Sequence, residues 1–413
     1  MEYTGRRWGD DFGTHMSTQL TTGISDADEA AHAGETAAHD ALADIDGTDA
    51  DFCQVFCSST YDHEAVLAGV RSVVGSETAL IGCASTGEFT DELTSDRAVA
   101  VGLLASDSLS FTTGLGTGLT DNATAAVREA IVDLPTASSE YPYQAAIALH
   151  DGLTGLSEQL SLIVQRKLGP EVSVAGGAAS DNYALESTPV FCGDQIADDA
   201  LAIAFIESER RLAVAVDHGH EPISEPMEAT DTDGSVVHEL NGQPAYDAWA
   251  EVVREAVRDR FDADVDELAP ESPAMTRVMG EFEFGVDQGD SYKVRWPRMG
   301  ADGDGSLQFA VDIPEGTVFR VMHGHPDEQV ASARRVTREA LGMLEGAPAG
   351  GFIYDCACRE IILGERFGEA VDAIDAELGA PFCGFETYGE TCLRKGQTSG
   401  FHNTTTVVLL FPA

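Results

Sequence analysis

A chain of 413 residues exceeds one ordinary hydrophobic core and suits two or three domains. It carries 71 Asp and Glu against 24 Lys and Arg, a formal net charge of −47. No basic stripe exists to meet phosphates, which argues against nucleic-acid binding, and no run nears the ~20 apolar residues of a membrane helix.

The acids are scattered rather than blocked. That pattern fits a halophilic, acidic protein whose charge keeps it dissolved in molar salt, where screening falls to ~3 Å. No apolar leader follows the N-terminus, so a cytoplasmic location is expected. The eight cysteines contain no C-x-x-C pair and are expected to stay reduced there.

In chain order, residues 1–15 show no period. They read as disordered, or as an over-long start with Met16 as the true beginning. A helix is predicted after Ser25 as N-cap, with Ala30, Ala31, Ala37, Ala38, Ala41 and Leu42 at helical spacing. A pattern then repeats. Its first copy has a strand over 51–57, a helix over 62–74, a strand over 79–83, the turn Ser85-Thr86-Gly87-Glu88 and a strand over 98–104. A looser copy spans 145–206, with the turn Gly176-Gly177-Ala178-Ala179-Ser180-Asp181. The last copy has a strand over 352–358, a helix over 366–378, a strand over 382–385, the turn Glu386-Thr387-Tyr388-Gly389-Glu390 and a strand over 405–411. Each unit reads as β-α-β plus a further strand, with a helix long enough for a crossover. The fold class is therefore α/β: duplicated β-α-β-β units forming layered mixed sheets flanked by helices.

Residues 207–330 break the pattern. They give a hairpin over 227–240, a helix over 244–261 and an acidic link over 262–273. A small antiparallel meander of strands follows over 279–284, 292–296, 307–311 and 318–322, then a helix over 328–344.

Turns after buried strands are where α/β proteins bind ligands. Glu88 and Glu390 occupy matching turns and could hold a ligand amine, act as acid and base, or satisfy backbone donors while Gly87 and Gly389 supply positive φ. Cys356-Ala357-Cys358-Arg359 ends a strand, whose period of two would put both thiols on one face. Arg359 could activate a thiol, and with His402 and Asn403 the set would suit a Cys-dependent hydrolase. The alternative for Cys356 and Cys358 is two small buried residues in a packed strand. Two His-Gly-His triplets, His218/His220 and His323/His325, could bind a transition metal or supply a haem b ligand, or be hydrogen-bonded turn histidines. Asp302-Gly303-Asp304-Gly305-Ser306 places Ile313 where a calcium loop needs Glu, so it reads as a hairpin turn.

At these residues the chain resembles the FIST family. The N-terminal match runs through Leu80-Ile81-Gly82-Cys83-Ala84-Ser85-Thr86-Gly87-Glu88, Ala175 to Asn182, His218-Gly219 and Leu240-Asn241-Gly242-Gln243-Pro244-Ala245. The C-terminal match is Asp355 to Arg359, Gly384 to Glu390 and His402-Asn403-Thr404-Thr405. The resemblance implies a FIST N-terminal domain over 16–243 and a FIST C-terminal domain over 244–413. It implies a non-enzymatic sensory module of signal transduction that binds small molecules such as amino acids, and, for some members, haem. No room remains for an output domain, which implies a separate signalling partner. The expected ligand site comprises Cys356, Arg359, Gly384, Thr387, Gly389, Glu390, His402, Asn403 and Thr404, with Ser85, Thr86 and Glu88 as its counterpart in the first copy. The wager falls on the turn of Glu390.

Overall fold

A computed structural model of the chain describes residues 18–45, 49–135, 141–270, 272–289, 291–300, 303–395, 397 and 400–413. The stretch 1–15 and the alternative start at Met16 lie outside the described residues.

Three six-stranded sheets surround one apolar core. The first runs Gln19–Ser25, Val99–Ala105, Phe52–Ser58, Ala79–Ser85, then the hairpin Val190–Cys192 and Gln195–Ala197. The second runs Leu109–Thr117, Ala200–Ser208, Tyr143–His150, Ser173–Ala178, then Glu390–Leu393 and Phe401–His402. The third runs Ala213–Asp217, Thr406–Pro412, Pro348–Cys356, Phe382–Thr387, then Glu88–Thr90 and Thr94–Ser95. In each sheet the two central strands are parallel and the outer pairings antiparallel. The strands are apolar on both faces because both faces are covered. Inward, Phe52, Phe56, Ile147, Tyr354, Phe385 and Phe411 fill the shared core. Outward, each sheet carries two helices: Ala30–Ala43 with His63–Val74, Leu119–Ala130 with Ser157–Leu168, and Pro326–Leu341 with Phe367–Leu378.

The repeat is thus larger than the sequence unit. Each copy is strand, helix, strand, helix, strand, hairpin, strand; the helices read after Ser25 and over 328–344 are the first helices of copies one and three, while the strand Gln19–Ser25 and the helix Leu119–Ala130 carry no turn signature. Each hairpin also leaves its own sheet. The first copy's hairpin edges the third sheet, the second's edges the first, and the third's edges the second. The exchange closes a ring.

The segment that breaks the pattern is an insertion in the third copy, between the strand Ala213–Asp217 and the helix Pro326–Leu341. It forms a nine-stranded sheet with the helices Ala245–Phe261 and Pro273–Glu281, and its own core of Trp249, Phe282, Phe284, Phe309 and Phe319. Trp249 Nε1–H donates to the Phe282 carbonyl at 2.9 Å, so its one polar group is satisfied inside that core.

Four local expectations are corrected. Ser25 closes a strand, and the first helix is capped by Glu29, which accepts from His32 N–H at 2.9 Å. Residues 279–281 continue a helix, because Ser272 caps it and Pro273 opens it; the strand is Phe284–Asp287. The acidic link over 262–273 is no free linker, since Val265 is fully buried in a single 3₁₀ turn. The strand predicted over 352–358 stops at Cys356, where the helix Ala357–Leu363 begins.

Candidate functional site

The carboxyl ends of the strands Ala79–Ser85, Ser173–Ala178 and Phe382–Thr387 meet, and their turns interlock. Ser180 N–H donates to the Ala84 carbonyl (3.1 Å), Glu386 N–H to Gly87 (2.9 Å) and Tyr388 N–H to Ala178 (3.1 Å). Ser180 Oγ donates to the Glu386 carbonyl at 2.6 Å.

Glu88 and Glu390 do the same job in their own turns. Each is fully buried. Glu88 Oε1 accepts from Ser85 Oγ, and Oε2 accepts from Ala98 N–H at 2.8 Å. Glu390 Oε1 accepts from Thr387 Oγ1, and Oε2 accepts from Thr405 N–H (3.1 Å) and Oγ1 (2.7 Å). Both carboxylates therefore fasten a turn to the start of the return strand. Burial pushes each pKa up to about 8. Gly389 has a positive φ of 141°. Gly87 is not among the positive-φ glycines; it is small because the Glu386 carboxyl fills the space a β-carbon would take, with Oε1 only 2.5 Å from that point. Gly384 is small for packing, since a β-carbon there would meet the Phe89 ring and the Ile353 carbonyl. Thr86 Oγ1 accepts from Asn182 N–H at 3.1 Å.

Cys358 lies near Cys356 through the start of a helix rather than strand alternation, and its nearness adds to the rise of the Cys356 thiol. Burial drives the Cys356 thiol well above its ordinary range. Arg359 does not serve either sulfur. Its fully buried guanidinium donates to Asp355 Oδ1 (2.7 Å), Gln329 Oε1 (2.6 Å), Ser332 Oγ (3.0 Å) and the Gln329 carbonyl (3.0 Å).

Ten buried side-chain polar atoms among the described residues lack a hydrogen-bond partner, and five of them belong to His220, Glu281, Glu283, His402 and Asn403. These residues line the seam between the insertion and the three-sheet body. Glu283 Oε1 accepts from Thr404 Oγ1 at 2.6 Å, while Oε2 has no partner. Glu283 lies beside Cys358 and Glu390, and burial drives its carboxyl well above the usual range. Thr404 holds a left-handed φ of 54°, rare for a branched residue. His402 is hydrogen-bonded to the Cys392 backbone; its Nε2 is bare and burial keeps the ring neutral.

The loop after Asp181 packs on the start of the helix Ala357–Leu363. Asn182, Tyr183 and Leu185 all have positive φ. Asp181 holds them by accepting from Leu185 (3.0 Å), Glu186 (2.6 Å) and Ser187 (3.1 Å) N–H groups and from Tyr388 O–H (2.7 Å). Tyr183 O–H reaches the Ala357 carbonyl (2.9 Å) and Glu360 Oε2 (3.1 Å). Tyr183 also stands beside Cys358 and Glu386. The Glu386 carboxyl is 2% exposed, makes no hydrogen bond, and faces Glu360, Asp355, Glu88 and Asp96. Cys358 is near enough to Glu283 and to Tyr183 to raise the pKa of each.

The histidine triplets are wired into the protein. His218 Nε2 meets the Tyr292 carbonyl (3.2 Å) and Nδ1 accepts from His220 N–H (3.2 Å). His220 Nδ1 meets Gln329 Nε2 (3.2 Å) and its Nε2 packs on Gly324. His323 pairs with Glu281 at 3.0 Å, and His325 caps the helix Pro326–Leu341. Among the described residues no three His, Cys, Asp or Glu side chains are grouped to hold a metal. His218 is engaged at both ring nitrogens, while His220 keeps an unpartnered Nε2.

Of the predicted residues, Cys356, Thr387, Glu390, His402, Asn403 and Thr404 come together here; Arg359 lies behind them in its ion pair, and Ser85, Thr86 and Glu88 lie on the Gly87 side. Sequence reasoning missed Glu283, Glu360, Glu386 and Tyr183. The signal for two of them was present: Glu283 alternates with phenylalanines and Glu386 ends an apolar strand, both buried acids by pattern. Two surface clefts, of about 430 Å³ beside Arg71 and Asp194 and about 350 Å³ beside His238 and Asp304, hold none of these residues. No described helix is long and apolar enough to cross a membrane.

Residues 51–243 match the FIST N domain and residues 245–392 the FIST C domain. An uncharacterised protein of Mycobacterium tuberculosis is 26% identical over 391 residues, covering 90% of this chain and 94% of that one. One from Methanocaldococcus jannaschii is 26% identical over 211 residues, 49% of this chain and 39% of that one. A cyanuric acid hydrolase from A. caulinodans shares 14% identity, with a TM-score of 0.26, over 46% of this chain and 71% of its own. At that score nothing about chemistry passes between the two.

Proposed function

The chain belongs to the FIST family, and on that premise we propose that it is a non-enzymatic sensor whose small ligand binds around Cys358, between Glu283 and the Tyr183 loop. FIST domains are associated with sensory signal transduction and small-ligand binding. The observation that carries the reading is the set of unpartnered buried polar atoms. Each costs ~1–3 kcal/mol when left unpaired, and folded proteins keep few of them. Five of them gather at the seam between the insertion and the carboxyl end of the third sheet, where α/β proteins bind ligands. The ligand supplies the missing partners, and Tyr183 closes over it.

A metabolite of amino-acid size suits such a site, and the signal passes to a separate output protein through the Tyr183 loop. Two features speak against thiol catalysis. Burial keeps the Cys356 thiol protonated, and Arg359 is spent on Asp355. Thermal-shift screening of amino acids and small amines, at molar salt, tests the reading. At least one compound is expected to raise the transition of the natural chain and not that of Asn403→Ala. A screen in which no compound separates the two chains would sink it.

A further inference from the structure

We propose that the ligand is an organic cation, a protonated amine without a carboxylate, held between the carboxyls of Glu283 and Glu386. The proposal rests on the site assigned above and names the chemistry it accepts. Of the unpartnered atoms on this side of the seam, Glu283 Oε2 and Asn403 Oδ1 are oxygens and His402 Nε2 is a ring acceptor; His220 Nε2, whose partner nitrogen accepts from Gln329, is the donor of the set and lies apart, against Gly324. Glu283 Oε2 and Asn403 Oδ1 are bare oxygens, buried to 0% and 4% exposure. His402 spends its other ring nitrogen on the Cys392 backbone, which leaves Nε2 an acceptor. The Glu386 carboxyl makes no hydrogen bond and stands over the bare backbone of Gly87. Glu360 adds a third carboxyl, on which Tyr183 closes at 3.1 Å.

The cations near the site are already matched to acids. Arg359 is on Asp355 at 2.7 Å, Arg295 on Glu158 at 3.1 Å, and Lys293 lies 4.0 Å from the same Glu158. A ligand carboxylate would therefore enter among Glu283, Glu360 and Glu386 with no unspent counter-charge, a costly burial. An ammonium brings three donors to a ring of acceptors. It also relieves the strain on the acids themselves. Burial raises the Glu386 carboxyl, and Glu360, Asp355, Glu88 and Asp96 raise it further. Burial does the same to Glu283, with Cys358 and Glu390 adding to it.

Isothermal titration calorimetry of the full chain tests this in molar KCl, which screens diffuse attraction to an acidic surface. The probes are butylamine, putrescine and γ-aminobutyrate. An amine is expected to bind and γ-aminobutyrate to bind at least about tenfold more weakly. Glu283→Gln and Glu386→Gln are each expected to weaken the amine by about tenfold or more, and the exposed Asp259→Asn to change nothing. A bound amine is also expected to slow alkylation of Cys358, a readout that needs no variant. Tighter binding of γ-aminobutyrate than of either amine would overturn the cation proposal and leave the ligand site standing. So would amine binding that neither Gln variant weakens and that leaves Cys358 alkylation unchanged. If no probe binds and the amino-acid screen is also empty, both the proposal and the site fall.

Discussion

Replacing Arg359 with methionine separates a ligand-contacting arginine from a structural one. The guanidinium is fully buried and makes four hydrogen bonds, one of them charge-assisted to Asp355. Asp355 Oδ2 also accepts from Thr406 Oγ1 at 2.7 Å, so the pair ties the strand Pro348–Cys356 to its neighbour and to the helix Pro326–Leu341. Methionine keeps the length and the apolar stem but strands the Asp355 carboxylate in the interior. Breaking one side of a buried pair costs about 3–5 kcal/mol, mostly through the uncompensated charge left behind. Removing both charges, as Asp355→Leu with Arg359→Met, is expected to return most of that loss, because no charge remains unpaired. Urea unfolding followed by tryptophan fluorescence and far-ultraviolet dichroism, in molar KCl, measures it. If Arg359→Met unfolds within about 1 kcal/mol of the natural chain and instead abolishes ligand binding, the structural assignment is wrong.

Two further outcomes follow from the same geometry. Glu88 and Glu390 have folded-state pKa values raised to about 8 from 4.5, so the folded chain binds more protons than the unfolded one across that interval. Their contribution is full below about 4.5 and is lost as pH rises through 8, at up to about 1.4 kcal/mol per pH unit for each group; Glu88→Gln with Glu390→Gln is expected to flatten that slope in unfolding curves, and an unchanged slope would contradict it. Gly87→Ala is expected to weaken amine binding while shifting the unfolding midpoint little. Its new methyl meets Glu386 Oε1 at 2.5 Å, yet the position needs no positive φ; equal binding by the variant would remove Glu386 from the site.

Much of the fold was legible because the repeat announces itself twice. Apolar strands running into Ser/Thr-x-Gly-Glu turns gave the parallel pair of each copy, to within a residue or two. Periodicity gave the helices Ala30–Ala43 and Pro326–Leu341 but did not join them to their copies, and it missed Gln19–Ser25 and Leu119–Ala130, which carry no turn signature. Nor could it show the exchange of hairpins, which is a matter of which edge each turn reaches. The site was half legible. His402, Asn403 and Thr404 were picked as a polar run before a buried strand. Arg359 was misjudged because Gln329 and Ser332, which absorb its donors, lie on a helix some thirty residues upstream. Glu283 was legible as a buried acid between phenylalanines but not as a neighbour of Thr404, because that relation spans 121 positions.

The recurrence of the glutamate turn now has a physical cause separate from ligand binding. At that turn each copy leaves its own sheet, edges its neighbour's with a hairpin and returns. The carboxylate, accepting from the hydroxyl three residues back and from the first N–H of the return strand, closes that excursion. In the first and third copies the same carboxylate fastens the excursion to its return strand. The proposed site lies where the third copy departs from the repeat. Only there does an insertion bring Glu283 across the sheet's end, and only there does the helix Ala357–Leu363 set Cys358 and Glu360 between the central strand and its crossover helix. The second copy contributes the other departure: Asp181 replaces the glutamate, releases its carboxyl from stapling the return strand, and uses it to hold the Tyr183 loop over its neighbour. The proposed binding chemistry therefore sits where the symmetry is broken, and the parts that repeat are the parts that hold the ring together.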